Sequence, residues 1–300
     1  MELSIALPTS GPWATPATIR EVAVAADRAG FRGVWTFQRV LYPSGTSMPS
    51  VYRSVVDPLI ALGFAAAVTW RVRLGTAVVN APFYAPAVLA KQVAALDLLS
   101  EGRLDLGLGL GWAQEEFTAA GIDMAARGRR LEEYLDCLDA LLGSQPACHS
   151  GEFYTVPESL VEPRPVQRPF PILLGGGSVA AYRRAGRRAA GWISASRASL
   201  DDIRLARETQ ATAAAEAGRP APRCVVRGVT LLRDEPAGDT RRPLSGTLAQ
   251  IEADLAAFEQ AGADELFFDL NFDSERVSTP DADPESAMDK ARALLEHFGG

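Results

Sequence analysis

Two patterns of apolar residues alternate along the chain. Short runs rich in Val, Ile, Leu and Phe are typical of buried strands, whereas apolar residues at every third or fourth position are typical of helices packed on one face. Eight runs of the first kind predict strands, at Leu3–Leu7, Arg32–Phe37, Leu74–Asn80, Leu104–Leu110, Pro171–Leu174, Trp192–Ala195, Cys224–Leu232 and Glu265–Leu270.

Helical periodicity fills the intervals between these strands. The predicted helices lie around Ile19–Ala26 (closed by Gly30) and at Asp57–Ala67, Pro86–Leu99, Arg129–Leu142, Val179–Ala189, Leu200–Ala217, Leu248–Ala261 and Ala287–Phe298. Strands that alternate with helices at this length predict an α/β chain folded as a (β/α)8 TIM barrel, a single domain over residues 1–300. A doubly wound sheet is the alternative because Gly107-x-Gly-x-Gly is similar to a dinucleotide-binding turn, but its third glycine comes one residue early.

Two connections are longer than usual for a compact domain. They span residues 40–56 and 143–170, and both are rich in proline and polar residues. Connections of this length are usually lids, substrate walls or partner surfaces. We expect both to be insertions at the C-terminal face of the barrel, where active sites of this fold lie.

Composition narrows the class of protein. An apolar content of 47% with 22% charged residues is typical of a globular enzyme, and the net charge of -7 without a basic cluster argues against nucleic-acid binding. No apolar run is long enough to span a bilayer, and the chain begins directly with strand-like residues, so we expect a cytoplasmic protein. Cys137, Cys148 and Cys224 lack metal-ligand spacing, so no metal site is expected.

Several motifs occur in an order that resembles one known family. They are Leu74-Gly-Thr, the segment Pro86–Leu104 with its Lys91, Asp97, Gly102 and Arg103, then Gly107-x-Gly-x-Gly-Trp112 followed by Glu115-Glu-Phe, and Arg127-Gly-x-Arg with Glu133. Together they resemble the bacterial luciferase-like monooxygenase superfamily, and within it the members that use the deazaflavin coenzyme F420.

The resemblance implies an oxidoreductase that transfers a hydride between F420 and a small organic metabolite. A deazaflavin carries carbon at position five, so it reacts poorly with oxygen and acts as a hydride carrier. The alternatives are a monooxygenase that depends on reduced FMN, and a barrel that binds a cofactor without catalysis. The resemblance also implies a homodimer, with a separate flavin or F420 reductase supplying reduced cofactor.

A glycine-rich turn between a strand and a helix predicts an anion site. Gly175, Gly176, Gly177 and Ser178 offer backbone amides at a helix N-terminus, which suits a cofactor phosphate. The simpler interpretation is a turn in which Ser178 caps the helix. Several arginines follow on the same helix, and we expect them to be solvated rather than to bind the phosphate.

The third strand carries the residues that the resemblance assigns to the cofactor ring. It places a non-proline cis peptide bond at Ala77–Val78, against the ring, and the side chain of Asn80 near the ring heteroatoms. From the residues alone, a buried strand capped by Asn80 is the alternative. The glycines at the exit of the fourth strand are expected to let a ligand approach the backbone.

Gln38 and Arg39 depart from the family. Many F420-dependent relatives carry Asp-His there, and the histidine is their proposed proton donor. Arginine stays protonated at neutral pH, so we expect Arg39 to stabilise negative charge or to hold a carboxylated substrate, unless it is a surface residue paired with an acid.

Two further residues follow the fourth strand. Trp112 is a candidate for packing on the ring or the substrate, with simple packing as the alternative. Glu115 is expected to hydrogen-bond to the cofactor, unless it only complements the helix dipole. Aromatic residues at Tyr42, Tyr52 and Tyr84 predict an apolar substrate pocket.

Overall fold

The computed structural model describes residues 1–273, 277, 279 and 282–300. Eight strands, β1 to β8, share one sheet, and they are Glu2–Ala6, Gly33–Thr36, Arg73–Thr76, Leu104–Gly109, Ile172–Gly175, Gly191–Ile193, Arg223–Val229 and Glu265–Asp269. Each pairs in parallel with the next strand of the chain, and β8 pairs with β1. This closed order confirms the predicted (β/α)8 barrel and excludes the doubly wound sheet.

Helices lie between the strands, as the periodicity predicts. Helices α1 to α9 are Pro16–Arg28, Pro58–Ala66, Pro86–Leu99, Gln114–Ala119, Arg127–Leu142, Val179–Arg188, Leu200–Glu216, Leu248–Gln260 and Pro284–Phe298. Thr15, Ser199 and Thr247 begin α1, α7 and α8 with capping boxes, in which side chain and backbone bond each other reciprocally. Prolines open α1, α2, α3 and α9, where a missing amide proton costs nothing.

The two long connections leave the barrel at different ends. Residues 40–56 follow β2 at the C-terminal face, as expected, and contain the 3-10 turn Ser50–Tyr52. Residues 143–170 follow α5 and therefore start at the N-terminal face, where Gln167 bonds Arg73 at 2.9 Å and the Leu104 carbonyl at 2.7 Å. The hairpin Ala147–Ser150 and Thr155–Ser159 packs against α5, where Glu133 accepts from the Phe153 and Tyr154 amides. The second insertion therefore leaves the barrel from the N-terminal face, in contrast to the sequence-based expectation, and its hairpin extends along α5 to the first turns of that helix.

The third strand is interrupted after Thr76, and the neighbouring glycines make room for the interruption. The Ala77–Val78 peptide bond is cis, as the resemblance implies, and the strand resumes over Val79–Asn80. A Cβ at Gly107 would lie 1.9 Å from the Thr76 carbonyl oxygen, and one at Gly109 would lie 2.4 Å from a methyl group of Val78. Gly107 therefore makes room for the neighbouring strand and Gly109 for the side chain of Val78, a role that the sequence-based interpretation did not include.

Inside the barrel, side chains stack in layers. The lowest layer is ionic: Asp105 bonds Arg73 at 2.7 Å and Arg223 at 2.7 Å. Burial alone would raise the pKa of Asp105, but the two arginines outweigh it and hold that pKa below its ordinary value. Above this layer the ring of Trp35 stacks on Phe267 with centroids 5.2 Å apart. The lumen is filled to this height, so open space begins only above Trp35.

The close approach at Gly107 gives a prediction about stability. Gly107→Ala should lower the free energy of unfolding by at least about 2 kcal/mol, because the methyl group meets backbone that cannot move aside. Gly63→Ala is the matched control: Gly63 lies inside α2 with no atom within 4 Å of its Cβ position, so alanine there should stabilise by about 0.5–1 kcal/mol. Urea unfolding would measure both. A Gly107→Ala protein of unchanged stability that bound cofactor poorly would restore the ligand interpretation.

Candidate active site

A cavity of about 460 Å³ opens at the C-terminal ends of the strands. Its walls come from the residues that follow β2 to β6 and from β7. Its lining residues are Phe37, Gln38, Arg39, Tyr52, Ala77, Val78, Asn80, Gly109, Leu110, Gly111, Trp112, Arg127, Gly175, Gly176, Gly177, Ser178, Ala181, Ile193, Ser194, Ala195, Ser196 and Arg227. The position is the one at which barrel enzymes carry their active sites.

The residues that the sequence analysis assigned to catalysis and to the cofactor meet in this cavity, with the exception of Glu115. Glu115 lies on the exposed side of α4, whereas the adjacent Glu116 is fully buried. Glu116 accepts a hydrogen bond from the Val40 amide at 2.7 Å and another from Arg39 at 3.2 Å. The sequence contained no sign of which of two neighbouring carboxylates faces inward, because both lie in the first turn of the helix.

Arg39 is buried at the cavity wall with 6% of its side chain exposed. Its guanidinium carbon lies 4.7 Å from the ring centroid of Tyr52 and 4.3 Å from that of Trp112. Its Nη1 donates to Glu116, but its buried Nε has no hydrogen-bond partner among the described residues. Burial lowers the pKa of Arg39 and Glu116 opposes the shift. The group remains a cation and cannot supply a proton at neutral pH.

Arg227 is a second cavity arginine, which the sequence analysis missed. It projects from β7 and forms an ion pair with Asp269 of β8 at 2.6 Å. Its guanidinium carbon lies 4.7 Å from the ring centroid of Phe37 and 4.5 Å from that of Phe272. The available signal was a charged residue inside an otherwise apolar strand, since buried charges require partners and often serve function.

Gln38 fixes the backbone beside the cavity. Its Oε1 accepts from the Asn80 amide at 2.8 Å, and its Nε2 donates to the Tyr84 hydroxyl at 2.7 Å. Both functional atoms of this buried side chain are therefore used in positioning. Gln38 holds Asn80 at the cavity edge, and Tyr84 lies behind it rather than in the lining. Of the aromatic residues expected in the pocket, only Tyr52 lines the cavity.

The glycine-rich turn forms the opposite end of the cavity. Ser178 caps α6 through its hydroxyl, which accepts from the Ala181 amide at 3.3 Å, as the simpler interpretation predicts. Arg127, at the start of α5, lines the same cavity, and no described carboxylate lies within salt-bridge distance of it. A helix N-terminus beside an unpaired arginine is suited to a phosphate.

The arginines of α6 do not reach the cavity. Arg184 pairs with Glu132 at 2.6 Å, and Arg188 pairs with Asp136 at 2.7 Å, so both join α6 to α5. Arg183 and Arg187 are exposed. Arg183 and Arg187 are therefore solvated as expected, whereas Arg184 and Arg188 are ion-paired.

Neither histidine lies in the cavity. His149 is 3.5 Å from Glu133 on the hairpin side of α5, and His297 is 3.0 Å from Glu252 on the outer surface. Over the described ranges, no group of three or more His, Cys, Asp and Glu side chains has the geometry of a metal site. No helix within those ranges is long and apolar enough to cross a membrane.

Comparison with known proteins identifies the family. The family model described as luciferase-like monooxygenase matches residues 1–239. The chain belongs to the luciferase-like monooxygenase family. An uncharacterized Mycobacterium tuberculosis protein is 35% identical over 209 residues, which cover 66% of this chain and 73% of that protein. An FMNH2-dependent dimethylsulfone monooxygenase of Pseudomonas putida is 29% identical over 195 residues, which cover 62% of this chain and 52% of that protein.

Solved structures of the luciferase-like fold superpose over nearly the whole chain. The monooxygenase RslO1 of Streptomyces bottropensis has a TM-score of 0.82 at 24% identity, covering 99% of this chain and 98% of its own. An F420-dependent secondary alcohol dehydrogenase bound to an F420–acetone adduct has a TM-score of 0.77 at 16% identity, with 100% of both chains covered. At these identities the similarity establishes the fold. Membership of this family makes the protein an oxidoreductase.

The two adjacent glutamates of α4 give a matched pair of variants. Glu116→Gln should lower the free energy of unfolding by about 1–3 kcal/mol, because it leaves the buried Arg39 without a countercharge. Glu115→Gln should change it by less than about 0.5 kcal/mol, since Glu115 is exposed. Thermal unfolding of both variants measures the difference. Equal effects would mean that the Arg39–Glu116 pair does not form in solution.

Proposed function

We propose that this protein binds coenzyme F420 across the mouth of the barrel and exchanges a hydride between the coenzyme and a small organic metabolite. The observation that carries the proposal is the division of the cavity into a polar, cationic end and an apolar wall. The cationic end contains Arg127 and the start of α6, and the apolar wall contains Ala77, Val78 and Ile193. A phosphate at one end and a flat ring on the other wall match a flavin-like molecule.

Each part of the cavity has a role in this proposal. The free amides at the start of α6 and the guanidinium of Arg127 would hold the phosphate. Asn80, positioned by Gln38, would offer its amide to the ring heteroatoms, and Val78 would support the ring face. A bound deazaflavin would supply hydride chemistry at its C5.

The cavity contains no side chain suited to proton transfer near neutral pH. Its titratable groups within the described residues are Arg39, Tyr52, Arg127 and Arg227. The described lining contains neither a histidine nor a carboxylate, and arginine does not release its proton in proteins. Any proton that accompanies hydride transfer would therefore come from solvent through the open mouth, where Trp112 is 52% exposed.

The open mouth also favours hydride transfer over oxygenation. A monooxygenase must keep water away from its oxygenated cofactor, whereas a deazaflavin exchanging hydride has no such requirement. A monooxygenase that depends on reduced FMN is the second candidate. It is favoured by the similarity to the dimethylsulfone enzyme and by the aromatic side chains near the mouth, which could exclude water if the mouth closed.

Cofactor preference is the direct test. Titration of the purified protein with F420 and FMN, each in both redox states and followed by absorbance and intrinsic fluorescence, should give the lower Kd for F420. The reduced deazaflavin should not cause oxygen consumption. Tighter binding of FMN, together with oxygen uptake when reduced FMN is supplied, would establish the monooxygenase instead.

The phosphate end can be tested at Gly177. No atom lies within 4 Å of a Cβ at this position, so Gly177→Asp would add a carboxylate to the cavity without displacing anything. We expect cofactor Kd to rise more than tenfold, which is about 1.4 kcal/mol. Gly177→Asn adds the same bulk without charge and should cost much less.

Gly176 is unsuitable for this test. It has φ of +140°, and a Cβ there would lie 2.6 Å from that of Ala181, so a substitution would disturb the turn itself. Unchanged affinity in a folded Gly177→Asp protein would mean that the phosphate binds elsewhere.

A further inference from the structure

All the charged side chains that line the cavity in the described part of the chain are cationic. They are Arg39, Arg127 and Arg227, and no described carboxylate is in the lining. This is unexpected for a protein whose net charge is -7. Cationic groups concentrated in a cleft attract and orient anions.

The three arginines are divided between the two sides of the cavity. Arg127 lies with the start of α6, beyond β5, where the cofactor phosphate is proposed to bind. Arg39 follows β2, and in an eight-stranded barrel β2 is opposite β6. Burial is the main cause that lowers the pKa of Arg39, and the positive charge of Arg227 is near enough to lower that pKa further. Two guanidinium groups are therefore left for a second anion.

Aromatic rings pack against both guanidinium groups. Arg39 lies against Tyr52 and Trp112, and Arg227 lies against Phe37 and Phe272. The rings also contact one another, with the Tyr52 centroid 5.9 Å from that of Phe272. A guanidinium group packed on aromatic rings keeps the N–H donors at its edge for hydrogen bonds.

The carboxylate partners do not use all of these donors. Glu116 divides its two oxygens between Arg39 and the Val40 amide, and Arg39 keeps a buried Nε without a partner. One oxygen of Asp269 accepts from the Asn271 amide and side chain at 3.0 Å and 2.9 Å, so only the other reaches Arg227. Nη2 of Arg39 also has no hydrogen-bond partner among the described residues and, unlike Nε, is not enclosed, so a bound anion would give it one.

We propose that the substrate carries a carboxylate on a planar, apolar body, and that Arg39, assisted by Arg227, binds this carboxylate. The aromatic rings around the two arginines take the apolar body. This inference rests on the proposed function, because it treats the same cavity as the substrate site.

Binding of two probes of equal shape tests the proposal. Calorimetric titration with 2-naphthoate and the neutral 2-naphthamide should be carried out on protein saturated with whichever cofactor binds, and on cofactor-free protein. The wild type should bind the naphthoate at least tenfold more tightly. The double variant Arg39→Gln/Glu116→Gln, which removes both charges together and leaves no unpaired acid, should bind the two probes equally. Arg39→Lys should retain part of the preference, because it keeps the charge without the fork.

The matched control is Arg183→Gln, which removes an exposed arginine outside the cavity and should keep the full preference. Equal binding of the two probes by the wild type would overturn the inference. A double variant whose cofactor Kd rose as much as its naphthoate Kd would also overturn it, by assigning Arg39 to the cofactor. If neither F420 nor FMN bound, but the preference persisted in the wild type and vanished in the double variant, the proposed function would fail and the carboxylate site would stand.

Discussion

The active-site cavity depends on the indole of Trp35, which lies across the barrel lumen. It stacks on Phe267 and donates its N–H to Glu265 at 2.8 Å. A Cβ on Gly75 would lie 2.3 Å from the ring, so the neighbouring strand β3 must carry glycine there. With the lumen closed at this height, everything above the ring becomes binding space. A smaller residue at position 35 would leave a void in the core, which costs several kcal/mol when an aromatic side chain is lost.

Charges are separated into layers by this apolar plug. Below it, Asp105 lies between two arginines. Burial raises the pKa of Glu265 and Arg223 opposes this shift, while Glu265 accepts hydrogen bonds from Ser4 and Trp35. Above it, Arg227 and Asp269 pair at the level of the cavity. Burying a charge is tolerated only when a partner compensates its lost hydration. The lower layer is structural, although one oxygen of Glu265 has no hydrogen-bond partner among the described residues, whereas the upper arginines line the cavity and keep donors in excess of their partners.

This difference explains how the protein can depart from its relatives without losing a site. Arginine at position 39 cannot donate a proton as a histidine could, but it fixes a positive charge that does not change with pH. The cost of burying that charge is offset by Glu116 and by the rings of Tyr52 and Trp112. In the proposed function the protein orients two ligands, and the bound cofactor would supply the hydride chemistry.

The sequence by itself determined the strands, the helices and the barrel, because a strand or a helix depends on neighbours in the chain and its periodicity is visible there. It also indicated Arg39, Asn80 and the glycine-rich turn, since each follows a strand at the mouth. Only the tertiary structure decided which carboxylate pairs with Arg39, why Gly107 is glycine, that Arg227 enters the cavity and that residues 143–170 leave the barrel from its N-terminal face. These facts depend on contacts between residues far apart in the chain, such as Arg39 with Glu116 or Gly107 with Thr76, and such contacts exist only once the barrel has closed.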